Sequence, residues 1–163
     1  MTIVIGIDPG ITGALATLDG ESVYVDDLPI RLKRDVSKVK NEIDPVALKA
    51  LLLKRLPADR SAICVMEVLN TFAGGSVQTM ASLAATKAVI STVLELCGVD
   101  TLFVSPQAWQ KWYGIRKSEI SDTKDQSLAH ARKLFGSAFC PLKKHHGRSD
   151  ALLIARYAQR HFV

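Results

Sequence analysis

Cysteine is scarce and unpatterned in this chain. Cys64, Cys97 and Cys140 stand far apart, are odd in number and form no CxxC pair. That excludes a disulfide framework, argues against a zinc site, and fits reduced thiols in a cytosolic protein. No segment reads as the ~18-residue apolar run needed to span a bilayer, so no membrane association is expected. The N-terminus, Met1-Thr2-Ile3-Val4, lacks the basic region and cleavage site of a secretory leader. A soluble cytoplasmic protein is expected. Repeats, linkers and low-complexity tracts are absent too. With 48% hydrophobic and 23% charged residues, the composition excludes a disordered chain and fits one domain over residues 1–163.

What is present begins with positive charge. The formal net charge is +5 and the pI about 9.2, a weak pointer to an acidic partner. The basic residues gather in three places. Arg31, Lys33, Arg34, Lys38 and Lys40 lie in one polar connection. Arg116, Lys117 and Lys124 flank a second. Lys143, Lys144, His145, His146 and Arg148 make the third. Charge runs are ordinarily solvated faces. Loops of this kind beside an acidic site are also what a phosphate-binding groove needs.

Apolar runs and turn signals give the element order. Strands are expected at residues 3–8, 13–18 and 22–28, with Asp19-Gly20 turning the hairpin. Residues 30–42 read as a polar, basic connection. Asp44-Pro45 opens a helix that Pro57 stops. A buried strand follows at 61–67, a Gly-containing loop at 70–75, and a long apolar helix at 76–97 closed by Gly98. A fifth strand is expected at 101–104, then helices at 105–112, from 121 or 122 to 135, and from about 148 to 160. Three antiparallel strands followed by alternating helix and strand make an α/β chain with a mixed sheet and helices on its faces.

Two strands end in carboxylates, Asp8 and Glu67. Ligands collect beyond strand ends in open α/β sheets, so these two meet if their strands are neighbours. Asp150, read as lying in the first turn of the last helix, can add a third. Clustered carboxylates repel one another and raise their pKa values, and a hard dication removes that penalty. Two such ions ~3.5–4 Å apart stabilise the attacking and leaving oxygens of a phosphodiester.

Each residue has an ordinary alternative. Asp8-Pro9-Gly10 can be turn chemistry, and Asp150 can be a helix acid favoured by the dipole. Glu67 is harder to dismiss, because Ile63-Cys64-Val65-Met66 leads straight into it. His146 precedes Asp150 by four residues, with Gly147 between them as a possible break. It is either a solvated loop residue or a group at the site, and His145 is its bland neighbour. Phe72, in the loop after Glu67, can stack on bases or pack inside. Trp109 and Trp112, spaced i, i+3, read as core.

Taken together, Gly6-Ile7-Asp8-Pro9-Gly10-Ile11-Thr12-Gly13, the strand ending in Met66-Glu67, and His146-Gly147-Arg148-Ser149-Asp150-Ala151-Leu152-Leu153-Ile154-Ala155 resemble RuvC-like Holliday-junction resolvases. Lys124 matches the basic position before the penultimate helix. The opening motif is shared with sugar-kinase and actin-type ATPases; the closing motif at this distance is the specific part. The resemblance implies an RNase H-like fold, a five-stranded sheet of order 3-2-1-4-5, and a symmetric homodimer. It implies two Mg²⁺ ions, replaceable by Mn²⁺, and paired nicks in four-way DNA junctions inside a bacterium or phage-infected cell. Asp8, Glu67 and Asp150 would be metal ligands and catalytic, and His146 the fourth group. Lys117, Lys124, Arg148, Lys143, Lys144, Arg31, Lys33, Arg34 and Phe72 would meet DNA. Bacterial members usually carry the fourth group three residues before the last Asp, where this chain has Gly147, so the spacing is closer to phage-type members.

Three other readings compete. A flap or branched-DNA nuclease would use the same metal chemistry. A junction-binding protein without catalysis would be expected to lose carboxylates. An ATPase or sugar kinase needs a second, duplicated domain that 163 residues cannot hold.

Overall fold

The computed structural model describes residues 2–34, 40–68 and 76–163. Five strands form the main sheet: β1 (Ile3–Asp8), β2 (Ala14–Asp19), β3 (Ser22–Asp27), β6 (Ala62–Glu67) and β7 (Asp100–Val104), in the order β3-β2-β1-β6-β7. This is the expected 3-2-1-4-5 arrangement. β1 pairs antiparallel with β2 and parallel with β6, and β7 pairs parallel with β6. The first three strands form a meander, with Asp19 facing Ser22 across the two-residue turn at Gly20-Glu21.

The central strand explains the layers. Side chains alternate along a strand. Ile3, Ile5 and Ile7 enter one core with Leu15, Cys64 and Met66. On that face lie α1 (Pro45–Arg55) and α2 (Val77–Leu96), which contribute Leu48, Leu52, Ile90 and Leu94. Val4 enters the opposite core with Ala14, Ala16 and Val65. Helices α3 (Pro106–Trp112), α4 (Thr123–Phe135) and α5 (His146–His161) cover that face. Asp44 caps α1 as expected, its carboxylate accepting from the Val46 and Ala47 amides at 3.0 and 3.1 Å.

α5 rests on β1 backbone to backbone. A methyl group added at Gly6 would collide with the Ala151 carbonyl and the Ala155 amide, and would lie 2.7 Å from Ala155 Cα. One added at Gly147 would collide with the Thr12 carbonyl and lie 3.0 Å from Gly13 Cα. Gly147, Ala151 and Ala155 follow at intervals of four, so one small-residue stripe lets the helix sink onto the strand.

Four expectations need correction. The polar connection contains a second, two-stranded sheet, β4 (Ile30–Leu32) with β5 (Asn41–Ile43). Its strands are three residues each, too short for a periodic signal. α5 starts at His146, two residues before the expected Arg148, because Gly147 is a packing residue within the helix and not a break. Trp112 is 45% exposed and sits outside the core. Finally, α2 does meet the length and composition of a membrane span, with hydropathy 1.3, although alanine and hydroxyl residues dilute its apolar run. Its buried residues, Thr86, Ile90, Val93 and Leu94, all lie from its middle onward.

The stripe makes Gly6 intolerant of any side chain. Gly6→Ala is expected to cost about 3 kcal/mol, the upper range for overpacking against backbone that cannot yield, measured by urea denaturation.

Candidate active site

β1 and β6 run parallel with Ile7 opposite Met66. Asp8 and Glu67 therefore follow side by side at the carboxyl ends of the two strands. Ile7 and Met66 point into the α1–α2 core, so alternation turns Asp8 and Glu67 toward α5. Asp150 is the fifth residue of α5 and follows the first turn. It is not the dipole-favoured first-turn acid that the sequence allowed, which removes its ordinary explanation.

The electrostatics tie the three together. Burial, Asp150 and Glu67 push the Asp8 carboxyl well above its usual range, with Lys124 opposing them. Burial raises Asp150 to about 7, with Glu67 adding to the rise and with Ser127 and Lys124 working against it. Burial also raises Glu67, against a hydrogen bond from Trp109. Asp150 Oδ1 and His146 Nδ1 are buried without a hydrogen-bond partner among the described residues. Buried polar atoms of this kind are rare and need an explanation. Among the described residues, no three His, Cys, Asp or Glu side chains close into a ligand set as they stand.

His146 and Asp150 occupy i and i+4 on one helix and share a face. Gly147 cannot carry the fourth group, because any side chain there meets Thr12 and Gly13. His145 accepts from the Leu142 amide at 3.3 Å and is the bland neighbour expected.

The basic residues divide. Lys124 acts on both Asp8 and Asp150 and belongs to the site. Lys117 is exposed in the loop between α3 and α4. Lys144 is exposed, and Lys143 reaches Asp125 at 3.6 Å. Arg148 is engaged elsewhere, forking onto both Asp27 oxygens at 2.7 Å and tying the start of α5 to the end of β3. Arg31 pairs with Glu42 at 2.9 Å within the β4–β5 hairpin. Lys33 lines a pocket between that hairpin and α2, across the sheet from α5, and Arg34 is exposed beside it. Phe72 lies outside the described residues.

No family model and no curated protein matches this sequence. Solved structures do match its shape. Thermus thermophilus RuvC in complex with a Holliday junction substrate aligns with a TM-score of 0.65 at 18% identity, over 99% of this chain and 97% of that one. A second Thermus thermophilus RuvC structure aligns with a TM-score of 0.56 at 16% identity, over 98% and 96%. The chain has the RNase H-like fold of RuvC.

Within that RuvC fold, three contributors escaped the sequence reading. Trp109 Nε1–H donates to Glu67 Oε2 at 2.7 Å. Ser127 supports Asp150, and Asp27 holds Arg148. Each acts across 23 or more residues, and no local spacing marks it. Trp109 was rightly placed in the core, being fully buried, but its polar edge was missed.

Asp150 titrates near 3.8 when unfolded and near 7 when folded. Below both values it is protonated in either state. As pH rises from about 4 through 7, the unfolded chain loses this proton first, and the folded state loses stability. Asp150→Asn removes that component. The metal-free variant is expected to gain on the parent across this interval, by about 2–4 kcal/mol at the top, with no further gain above pH 8. Urea titrations at several pH values measure the difference.

Proposed function

We propose that this chain is a divalent-metal-dependent DNA endonuclease that resolves four-way junctions by paired, symmetric nicks. The observation that carries the reading is the half-buried carboxylate set itself: Asp8, Glu67 and Asp150 lie near enough to raise one another's pKa values, and one Asp150 oxygen is unpartnered among the described residues. A folded protein keeps such a charge conflict only where something relieves it. The RuvC fold supports the substrate class, since the matching Thermus structure is a complex with a Holliday junction.

The donor set fits Mg²⁺ or Mn²⁺, which favour oxygen ligands and accept imidazole in the case of Mn²⁺. Asp8, Glu67 and Asp150 would hold two ions, with His146 as the fourth group. When bound, such ions supply an activated water and charge for the leaving 3′ oxygen. The side chains do the rest. Asp8 and Asp150 would hold the ion on one side of the scissile phosphate and Glu67 the ion on the other. His146 Nδ1 is placed to hold or pass a proton at the water or leaving group. Lys124 brings positive charge to the phosphate, and Lys117, Lys143 and Lys144 extend that charge along the backbone. No covalent enzyme intermediate is required.

Two symmetric cuts in a two-fold junction suit a two-fold enzyme. The first half of α2 offers the contact: Val77 is 79% exposed, and no residue before Thr86 is fully buried. We propose that residues 1–163 act as one nuclease domain within such a homodimer. Sedimentation at micromolar concentration is expected to give a dimer, and Val77→Glu to shift it to monomer.

A mobile four-way junction incubated with Mg²⁺ beside a flap and a plain duplex tests the activity. Paired nicks confined to the junction are expected. Asp8→Asn should lose well over the ~10–100-fold typical of groups that only support a ligand, while still binding the junction. Cutting that favours the flap would discard the resolvase reading, and full activity in Asp8→Asn would discard the site.

A further inference from the structure

Glu67 has two carboxylate oxygens, and one of them already accepts a hydrogen bond. The Trp109 indole N–H donates to Glu67 Oε2 at 2.7 Å. The arrangement is rigid from several directions. β7 pairs with β6 so that Val104 faces Glu67. Ser105 then caps α3, with Pro106 as its first residue, which sets Trp109 five residues beyond Val104. The indole is fully buried and stands edge-on to Tyr113, ring centroids 6.4 Å apart. The Tyr113 hydroxyl in turn donates to the Leu153 carbonyl of α5 at 2.8 Å. An indole nitrogen is a donor only and cannot reverse its role. Packing alone would be served by an all-carbon ring, without a polar hydrogen that demands an acceptor.

The chemical consequence concerns how Glu67 can bind an ion. Ca²⁺ takes six to eight oxygens and often grips a carboxylate through both of them, whereas Mg²⁺ requires a near-ideal octahedron. With one lone pair of Oε2 engaged and the carboxylate held by the indole, Oε1 is the freer donor and a two-oxygen grip on one ion is disfavoured. We propose that Trp109 is a specificity-determining positioning residue: by hydrogen-bonding Glu67 Oε2 it disfavours two-oxygen binding by Glu67 and biases the site toward Mg²⁺ or Mn²⁺ and against Ca²⁺. This rests on the metal-dependent reading above and adds a determinant of which ion is accepted.

The test reads ion binding without catalysis. Free Mn²⁺ is followed by electron paramagnetic resonance in the full-length, DNA-free protein, and Ca²⁺ is added as competitor. Three proteins are compared: the parent, Trp109→Phe, and one carrying 3-benzothienylalanine at position 109, which keeps the bicyclic shape and lacks the N–H. Both variants are expected to raise Ca²⁺ affinity relative to Mn²⁺ by about tenfold or more, within the range for groups that hydrogen-bond a metal ligand. Thermal unfolding checks that each variant is folded. The benzothienyl protein carries the test alone if the cavity left by Trp109→Phe prevents folding. An unchanged Mn²⁺-to-Ca²⁺ ratio in a folded variant overturns the assignment to Trp109 and leaves the metal site standing. Failure of the parent to bind Mn²⁺ in a manner that Asp8→Asn abolishes removes the proposed metal site, and this inference with it.

Discussion

The contact on which everything else depends is the descent of α5 onto β1. Gly6 leaves no room for a side chain between β1 and α5, and Gly147 leaves none between α5 and Thr12-Gly13. Only because the helix sinks that far can Asp150 influence the field at Asp8. A helix held off by side chains at these positions would keep the carboxylates farther apart. The small residues cost some backbone entropy in the unfolded chain. Their return is a site whose acids stand on a helix and two central strands, the most rigid elements available.

That seating also accounts for the spacing of the last motif. Position 147 faces Thr12 and Gly13 and can hold no functional group, so the candidate fourth group stands at His146, a full helical turn before Asp150. The Arg148–Asp27 fork closes the same end of the helix from the other side. The first three residues of α5 thus differ: one shares a helix face with Asp150, one packs, and one anchors to the sheet edge.

The sequence made the sheet and its acids legible because both leave local traces. Apolar runs that stop on a carboxylate identify Asp8 and Glu67, and parallel pairing of their strands brings them together. The start of α5 was misplaced because a glycine before a helix looks like a break; its packing role is visible only once Thr12 and Gly13 lie across from it. The β4–β5 hairpin was hidden by its brevity. The basic clusters were legible, but the ion pairs that Arg148 and Arg31 make with Asp27 and Glu42 were not. Pairing of that kind depends on which acids the fold brings near, and sequence spacing does not record it.

α5 is also the most deeply embedded helix of the structure, with eight of its sixteen residues buried, Gly147 and Ser149 among them. Segments with so many buried groups open only when the whole domain opens. The end of the helix that carries His146 and Asp150 is pinned by Arg148 and by the glycine contact, so it has little freedom to fray. On warming, the acids should stay in register until cooperative melting. The arrangement of the acids would then be lost abruptly at the unfolding temperature, with no preceding loosening.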